Sequence, residues 1–357
     1  MSELAVLPND FVSSQRAALR RLSDRHAYAS VPVGLCVVLF VVNLLVQPAF
    51  AGRADWATAS GVLVPYLFIG MAFTLPVLQG GFDLSIGTLA GFMTIFVSTV
   101  LLPSGITAPE LVIPLVVAFG LLSGTINGFF IVYVRLPPII ATLGMYLFYE
   151  GLGTAVLPEQ GGTIPGWLVR LSQSYGPIPG QWFVVAGFAI VWLALSRTAL
   201  FRNILVVGGD ERAAYTAGVN VKAVRLSSYA LTGAIACIAG LMLAALIQSG
   251  DGTIGAQYTI SGITAVALGG ISLHGGKGGL FGGALGGAVL FLIAQLLTDA
   301  NVSIYAVQIV DGIILIVALS LNGTLDYLRR RLLRKSLAQS AVSAAVEEGQ
   351  SGIRTTV

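Results

Sequence analysis

From Val31 to Leu325 the chain is a series of apolar stretches, each nearly free of charge and close to the length of a membrane span. They run at roughly Val31–Val46, Thr58–Leu78, Leu84–Leu102, Leu111–Val134, Ile139–Leu157, Trp182–Ser196, Leu226–Ile247, Tyr258–Leu273, Leu280–Thr298 and Ile304–Leu325. A helix of about 20 apolar residues crosses the hydrocarbon core of a bilayer. Inside lipid, a helix satisfies its own backbone polar groups and an open strand does not. The pattern therefore predicts an all-α integral membrane protein with about ten transmembrane helices. The stretches at Trp182 and Tyr258 are short, as expected of broken or re-entrant elements. Composition agrees: 56% of residues are hydrophobic and 10% charged, against about 25% charged in an average soluble domain. The 44 glycines fit helices that pack closely in lipid.

The basic residues orient the chain. With the N-terminus inside and sides alternating, Arg16, Arg20, Arg21, Arg25, Arg135, Arg197, Arg202, Arg212, Lys222, Arg225, Lys277 and the run Arg329–Lys335 all fall on the cytoplasmic side. Only Arg53 and Arg170 fall outside. Both termini are thus expected in the cytoplasm. The expected organisation is a cytoplasmic segment 1–30, a transmembrane domain 31–328 and a basic, disordered tail 329–357. Ala49-Phe50-Ala51 resembles a signal-peptidase site. The long polar N-terminal region favours an uncleaved first span instead. The basic clusters flank spans, so the net charge of +3 is explained by the membrane and no nucleic-acid partner is implied.

Arg197–Arg225, reading RTALFRNILVVGGDERAAYTAGVNVKAVR, is the longest mixed-charge segment between apolar runs. It is too short for an enzyme domain and long enough for two short helices. Glu211-Arg212-Ala213-Ala214 favours helix and Gly218-Val219-Asn220 breaks it. It is either a solvated connector or a docking surface for a soluble motor. The outer loop Pro158–Gln181, rich in Gly, Pro and aromatic residues, suits a structured interfacial loop.

Few polar groups lie within the apolar runs. Asp83 and Ser85 sit in QGGFDLSIG, where Gly80-Gly81 permits a sharp turn and either side chain can cap the next helix. GGISLHGG at Gly269–Gly276 is a similar phrase, a hint of internally related halves. Asp311 lies mid-stretch, with Gln308 three residues before it on the same helical face. A carboxylate there costs about 2.5–3.5 kcal/mol on insertion scales, so it should face the protein interior, a partner or water. Asn127, Thr142, Tyr146, Glu150 and Gln295 complete the candidate polar lining of a path. Around Lys277 the Gly-rich run fails as a phosphate loop, because Gly278 stands where Ser or Thr is needed. Cys36 and Cys237 read as small buried residues. His26 and His274 form no cluster with metal-ligand spacing. No cofactor or metal of its own is expected, and any ATP-driven work needs another chain.

Four phrases carry a resemblance: GGFDLSIGTLAG at 80–91, GTINGFFIVYVRLPPIIATLGMYLFYEGL at 124–152, VVGGDERAAYTAGVNVKAVRLSSYALTGAIACIAGLM at 206–242 and VALGGISLHGGKGGLFGGALGGAVL at 266–290. They resemble the ribose-type permease family of bacterial ABC importers, which includes permeases for xylose, galactose, arabinose and autoinducer-2. The resemblance implies a permease subunit in the bacterial inner membrane, paired with a second copy or a homologous permease. It implies a cytoplasmic ABC ATPase that holds ATP and Mg, and a periplasmic or lipid-anchored sugar-binding protein. By the same match, Asp210, Glu211, Arg212, Ala213, Ala214, Gly218, Val219 and Asn220 form the element that seats in the ATPase. Two departures stand out. The family's Gly-Tyr-Glu-Leu-like phrase is Gln257-Tyr258-Thr259-Ile260 here, without the acid, and Asp311 replaces a neutral or basic residue. A rival expectation is an ion-gradient-driven carrier with Asp311 as its coupling carboxylate. A membrane scaffold without transport is a third. An intramembrane enzyme is disfavoured, since nucleophile, base and metal ligands do not cluster.

Overall fold

A computed structural model of the chain describes residues 29–175, 178–303 and 306–320. The N-terminal basic cluster, the run Arg329–Lys335 and most of the expected segments 1–30 and 329–357 lie outside the described residues. The elements are α1 (Ser30–Val46), α2 (Arg53–Leu78), α3 (Ser85–Ile95), α4 (Pro109–Val132), α5 (Pro138–Val156), α6 (Gly166–Leu171), α7 (Gln181–Ser196), α8 (Ala199–Gly209), α9 (Glu211–Thr216), α10 (Val221–Ile247), α11 (Gly255–Leu268) and α12 (Leu280–Asp299). Ala306–Ser320 adds α13. Two-residue strands β1 (Ser174–Tyr175) and β2 (Ile178–Pro179) pair antiparallel between α6 and α7. Apart from this hairpin and one bridge between Gly161 and Gly250, the described residues form no sheet.

Within the described residues, every predicted apolar stretch falls mainly on a helix. The span count is a different matter. Five helices, α2, α4, α5, α10 and α12, are long and apolar enough to cross a membrane alone. The pair α7–α8, bent by 72°, makes a sixth if taken as one span. α1, α13 and α3 with its continuation are shorter apolar helices, and α11 has 14 residues. The chain is a multi-pass membrane protein in which several elements are interrupted. α3, for example, continues as a π-helical turn over Phe96–Leu101, a form concentrated at functional sites.

The helices differ sharply in burial. α2 is the hub, with 94% of its most apolar window buried, and α10 follows at 72%; α5 has only 22%. Residues such as Leu147, Phe148, Ile190 and Val191 therefore stay outward, as lipid-facing side chains do. α1 is held by Asn43, whose Nδ2 donates to the carbonyls of Leu39 (2.8 Å) and Leu292 (3.1 Å). Phe50 fills the gap between Phe40 and Trp56, with ring centroids at 5.8 and 6.0 Å.

Glycine sets the spacing between the central helices. α12 begins LFGGALGG, which makes two stripes four residues apart. A Cβ on Gly283 or Gly287 would overlap the carbonyls of Gly70 or Tyr66 on α2. One on Gly286 would overlap that of Ala265 on α11. Likewise Gly120 and Gly124 of α4 lie against Gly233 and Tyr229 of α10. In lipid, where apolar side chains gain little by leaving the solvent, close backbone approach of this kind drives helix association.

Gly283→Leu should therefore wedge α12 from α2 at a cost of about 1–3 kcal/mol or more. Gly144→Leu, on a face with nothing within 4 Å, should be tolerated. Thermal unfolding of the detergent-solubilised protein is expected to fall by several degrees for the first variant and to stay unchanged for the second.

Candidate functional site

The mixed-charge segment folds as expected into two short helices, α8 and α9, although Val221–Arg225 already belongs to the first turns of α10. The chain leaves α7 at Arg197, turns through 72° and runs along α8, which buries Ile204 and Val207 and exposes Arg202 and Val206. Asp210 starts α9: its Oδ1 accepts the Ala213 N–H at 3.0 Å. Asn220 starts α10 in the same way, its Oδ1 accepting the Ala223 N–H at 3.1 Å. Such caps satisfy amide groups that a helix start would leave unpaired. Between them Gly218 takes φ +81°, and Val219 N–H returns to the Ala214 carbonyl at 3.1 Å. Ala214 is fully buried at the turn. The Arg225 guanidinium binds Glu211 at 2.7 Å, closing α9 onto α10. This exposed pair contributes little to global stability, but it fixes the angle of a hairpin only a few residues long. Its outward face presents Arg212, Tyr215, Thr216 and Lys222 along an open cleft of about 1200 Å³.

The base of the hairpin is pinned by backbone contacts that only glycine permits. At the end of α2, Gly81 N–H bonds the Pro76 carbonyl (3.0 Å) and Gly80 N–H that of Val77 (2.9 Å), with Gly80 at φ +74°. This is a left-handed helix stop. Gly276 N–H then donates to the Leu78 carbonyl at 2.9 Å. A Cβ on Gly208 would overlap both the Leu78 carbonyl and Gly276. The end of α8 at 208–209 and the loops at 79–81 and 275–276 therefore meet at one point. The run around Lys277 that fails as a phosphate loop is thus part of the hairpin's seat. The two similar glycine phrases are also neighbours in space, for Gly80 approaches the His274 carbonyl.

Just beyond this junction lies the buried polar cluster. Asp83 is 2% exposed. Its Oδ1 accepts Ser85 Oγ (2.6 Å) and Ser85 N–H (3.0 Å), and Asn127 Nδ2 donates to its Oδ2 at 3.2 Å. Asn127 Nδ2 also reaches Ser85 Oγ at 2.9 Å. Among the described residues no Lys or Arg is bonded to Asp83; its compensation comes from these donors and from the start of α3. The backbone of the turn is gripped as well. Leu84 N–H donates to Thr142 Oγ1 (3.1 Å) on α5, and Thr259 Oγ1 on α11 donates to the Leu84 carbonyl (3.3 Å). One turn thereby ties α3 to α4, α5 and α11.

Of the nine residues expected to line a path, the structure brings together Asp83, Ser85, Asn127 and Thr142. Tyr146 is half-buried beside Glu150, outside the cluster. The inward tyrosine is Tyr149, one helical step on, whose hydroxyl pairs with Ser123 at 2.5 Å. Gln295 donates to Asp299 at 2.9 Å, away from the cluster. Asp311 is half-buried and takes Ser261 Oγ at 3.5 Å, near Tyr66. Gln308, placed on the same face by its spacing, is exposed instead. Sequence reasoning missed Thr259, Tyr229 and Gln79. All three lie within or beside apolar runs, where a lone hydroxyl or amide carries no signal until its neighbour is known.

The profile of a family described as branched-chain amino acid transport system, permease component, matches residues 56–319. The ribose import permease of Bacillus subtilis is 30% identical over 302 residues, 81% of this chain and 91% of its own length. The galactose/methyl galactoside import permease of Salmonella typhimurium is 28% identical over 321 residues, covering 84% and 95%. The autoinducer 2 import system permease of Escherichia coli is 28% identical over 312 residues, covering 84% and 90%. No solved structure matches the chain.

Removing Asn127 tests the cluster. Asn127→Leu deletes the amide that reaches Asp83 from α4, and losing a hydrogen bond to a charged group costs about 1.5–3 kcal/mol. Asn127→Asp should cost more, because it sets a second carboxylate beside the first. Thermal unfolding in nanodiscs is expected to rank the proteins wild type, Asn127→Leu, Asn127→Asp in falling order.

Proposed function

The chain belongs to the family of transport-system permease components, and from that membership we propose that it forms the transmembrane path of a bacterial ABC importer for a sugar or related small polar solute. Its relatives named above are permeases of import systems for ribose, galactose and autoinducer 2. On this reading the protein is not itself an enzyme. ATP and Mg are bound by a separate cytoplasmic ATPase, and solute is delivered by a periplasmic or lipid-anchored binding protein. A second copy of the permease, or a homologous one, completes the path in the cytoplasmic membrane.

The observation that carries this reading is the α8–α9 hairpin. Asp210 caps α9, Asn220 caps α10, the Glu211–Arg225 pair holds these two helices together, and yet Arg212 and Tyr215 face away from the chain that carries them. A solvated connector needs none of this order. A short helix seated in an ATPase cleft does, because it must pass on force without bending. The seat of the hairpin on the 79–81 and 275–276 loops gives that force a direction: toward the turn that holds Asp83. A rigid-body tilt of the hairpin would move the ends of α2, α8 and the α11–α12 loop together.

The cluster around Asp83 suits a weakly discriminating path. Carboxylate, amide and hydroxyl groups exchange hydrogen bonds readily with a polyol, and Asn127 Oδ1 is buried with no protein partner. In the described conformation the cluster is closed, so solute would meet it only after the helices part. The carrier alternative has less support. Asp311 takes a single long hydrogen bond and lacks its expected neighbour Gln308.

ATP hydrolysis by the nanodisc-embedded complex, measured with its binding protein against a panel of sugars and polyols, tests the reading. One loaded solute is expected to stimulate turnover, and Glu211→Ala/Arg212→Ala should abolish that stimulation while the complex still assembles. Asp311→Asn should retain ATP-driven uptake. Uptake by this chain alone down a proton or sodium gradient, lost in Asp311→Asn, would replace the importer with the carrier.

A further inference from the structure

A second, smaller cavity of about 30 Å³ lies between the hairpin and the Asp83 cluster. It is lined by Gln79, Gly80, Gly81, Ile131, Pro138, Arg225 and Tyr229. Two of its lining residues each carry a buried polar atom with no protein partner: Gln79 Oε1 and Arg225 Nε. The rest of each side chain is engaged. Gln79 Nε2 donates to the Val224 carbonyl at 3.4 Å, and Arg225 Nη2 binds Glu211 at 2.7 Å. So one residue offers a spare acceptor and the other a spare donor, and both line the same small space. The Tyr229 hydroxyl stands beside it, close enough to Gly81 that a Cβ there would crowd it, and feels both the Asp83 carboxylate and the Arg225 guanidinium.

The chemistry of the occupant follows. An anion can accept from Nε–H but cannot donate to Oε1. A metal cation can bind Oε1 but is repelled by the guanidinium. Water does both. A space of roughly 10–15 Å³ holds one water, provided that polar partners line it, and this one is large enough for one or two. An unsatisfied buried polar atom costs about 1–3 kcal/mol, so two at one cavity are a strong reason for water to enter.

We propose that Gln79, Arg225 and Tyr229 enclose an internal water site that joins the ion-paired hairpin to the buried Asp83 cluster. The route runs from Glu211 through Arg225 and the enclosed water to Gln79 and Tyr229, and so to the turn at Asp83. Arg225 is a positioning residue in this route. Its guanidinium holds the hairpin with one edge and the water with the other, so a change in hairpin angle alters the hydrogen bonding at the end of α2. The consequence for transport rests on the importer reading above, whereas the water site does not.

Two measurements test this. The first is hydroxyl-radical labelling, with radicals made from water by an X-ray pulse on the protein in nanodiscs, followed by mass spectrometry. Tyr229 and Tyr258 are 2% and 3% exposed, but Tyr258 packs on the Tyr66 ring with centroids 5.3 Å apart. Tyr229 is expected to be oxidised much faster than Tyr258, and Gln79→Met, which fills the site with an apolar chain, should remove the difference. Equal, slow labelling of both tyrosines in the wild type would overturn the site. The second is ATP hydrolysed per solute imported in Arg225→Lys, which keeps the charge for Glu211 and lacks Nε. A true joint contributes coupling of the usual allosteric size, so the ratio should rise at least about fivefold, with Glu211→Gln giving a similar rise. A wild-type ratio in both variants would overturn the transmission role. If no ATPase partners with the chain, the importer reading fails and the labelling still decides the water site.

Discussion

A carboxylate enclosed by membrane helices must be paid for by its surroundings, and Asp83 shows how this chain does it. Removing such an ion from water costs several kcal/mol even after relaxation. No cation answers it among the described residues. Instead Ser85, through its hydroxyl and its backbone N–H at the start of α3, and Asn127 donate to it. These donors come from α3 and α4, so satisfying the charge fixes those two helices together, while Thr142 of α5 and Thr259 of α11 hold the backbone of the same turn at Leu84. A cluster of this kind is costly to half-dismantle, because each missing donor leaves a buried charge less satisfied. It therefore favours discrete arrangements of the helices over gradual distortion, which is what a gate requires.

The hairpin is the other fixed point, and glycine connects the two. Where the end of α8 at 208–209 meets the loops at 79–81 and 275–276, backbone touches backbone with no side chain between. Such contacts are stiff, since there are no rotamers to absorb a push. Farther from the junction the same close backbone approach appears at the glycine stripes of α12 and α4. α7 and most of α5 face outward, while Thr142 and Tyr149 of α5 reach the core.

Much of this was legible in the sequence, and the reason is the bilayer. Long apolar runs can only be helices, so their positions follow from composition alone. The hairpin was legible because Asp210, Gly218 and Asn220 are cap and break residues whose effect is local. Asp83 and Ser85 were legible as a helix start for the same reason. Burial was not. α2 and α4 have mean hydropathies of 2.0 and 2.1, yet 94% of one window is buried and 44% of the other. A side chain that suits lipid also suits a protein core, so hydropathy cannot tell hub from rim. The same ambiguity misplaced Tyr146 and Gln308 while the inward residue was Tyr149. The 72° bend after α7 and the convergence of the glycines at 80–81, 208–209 and 275–276 depend on contacts between distant segments and carry no local signature.

The central claim is that the α8–α9 hairpin is the surface through which an ATPase drives these helices. Photocrosslinking tests it most directly, with a benzophenone amino acid in place of Tyr215, which is 74% exposed at the cleft, and the permease co-expressed with the ATPase of its own import system. A covalent adduct between permease and ATPase from position 215, absent when the probe is moved to Phe148 on the lipid-facing side of α5, is the result this account predicts. An assembled complex that imports solute yet gives no adduct from position 215 would contradict it.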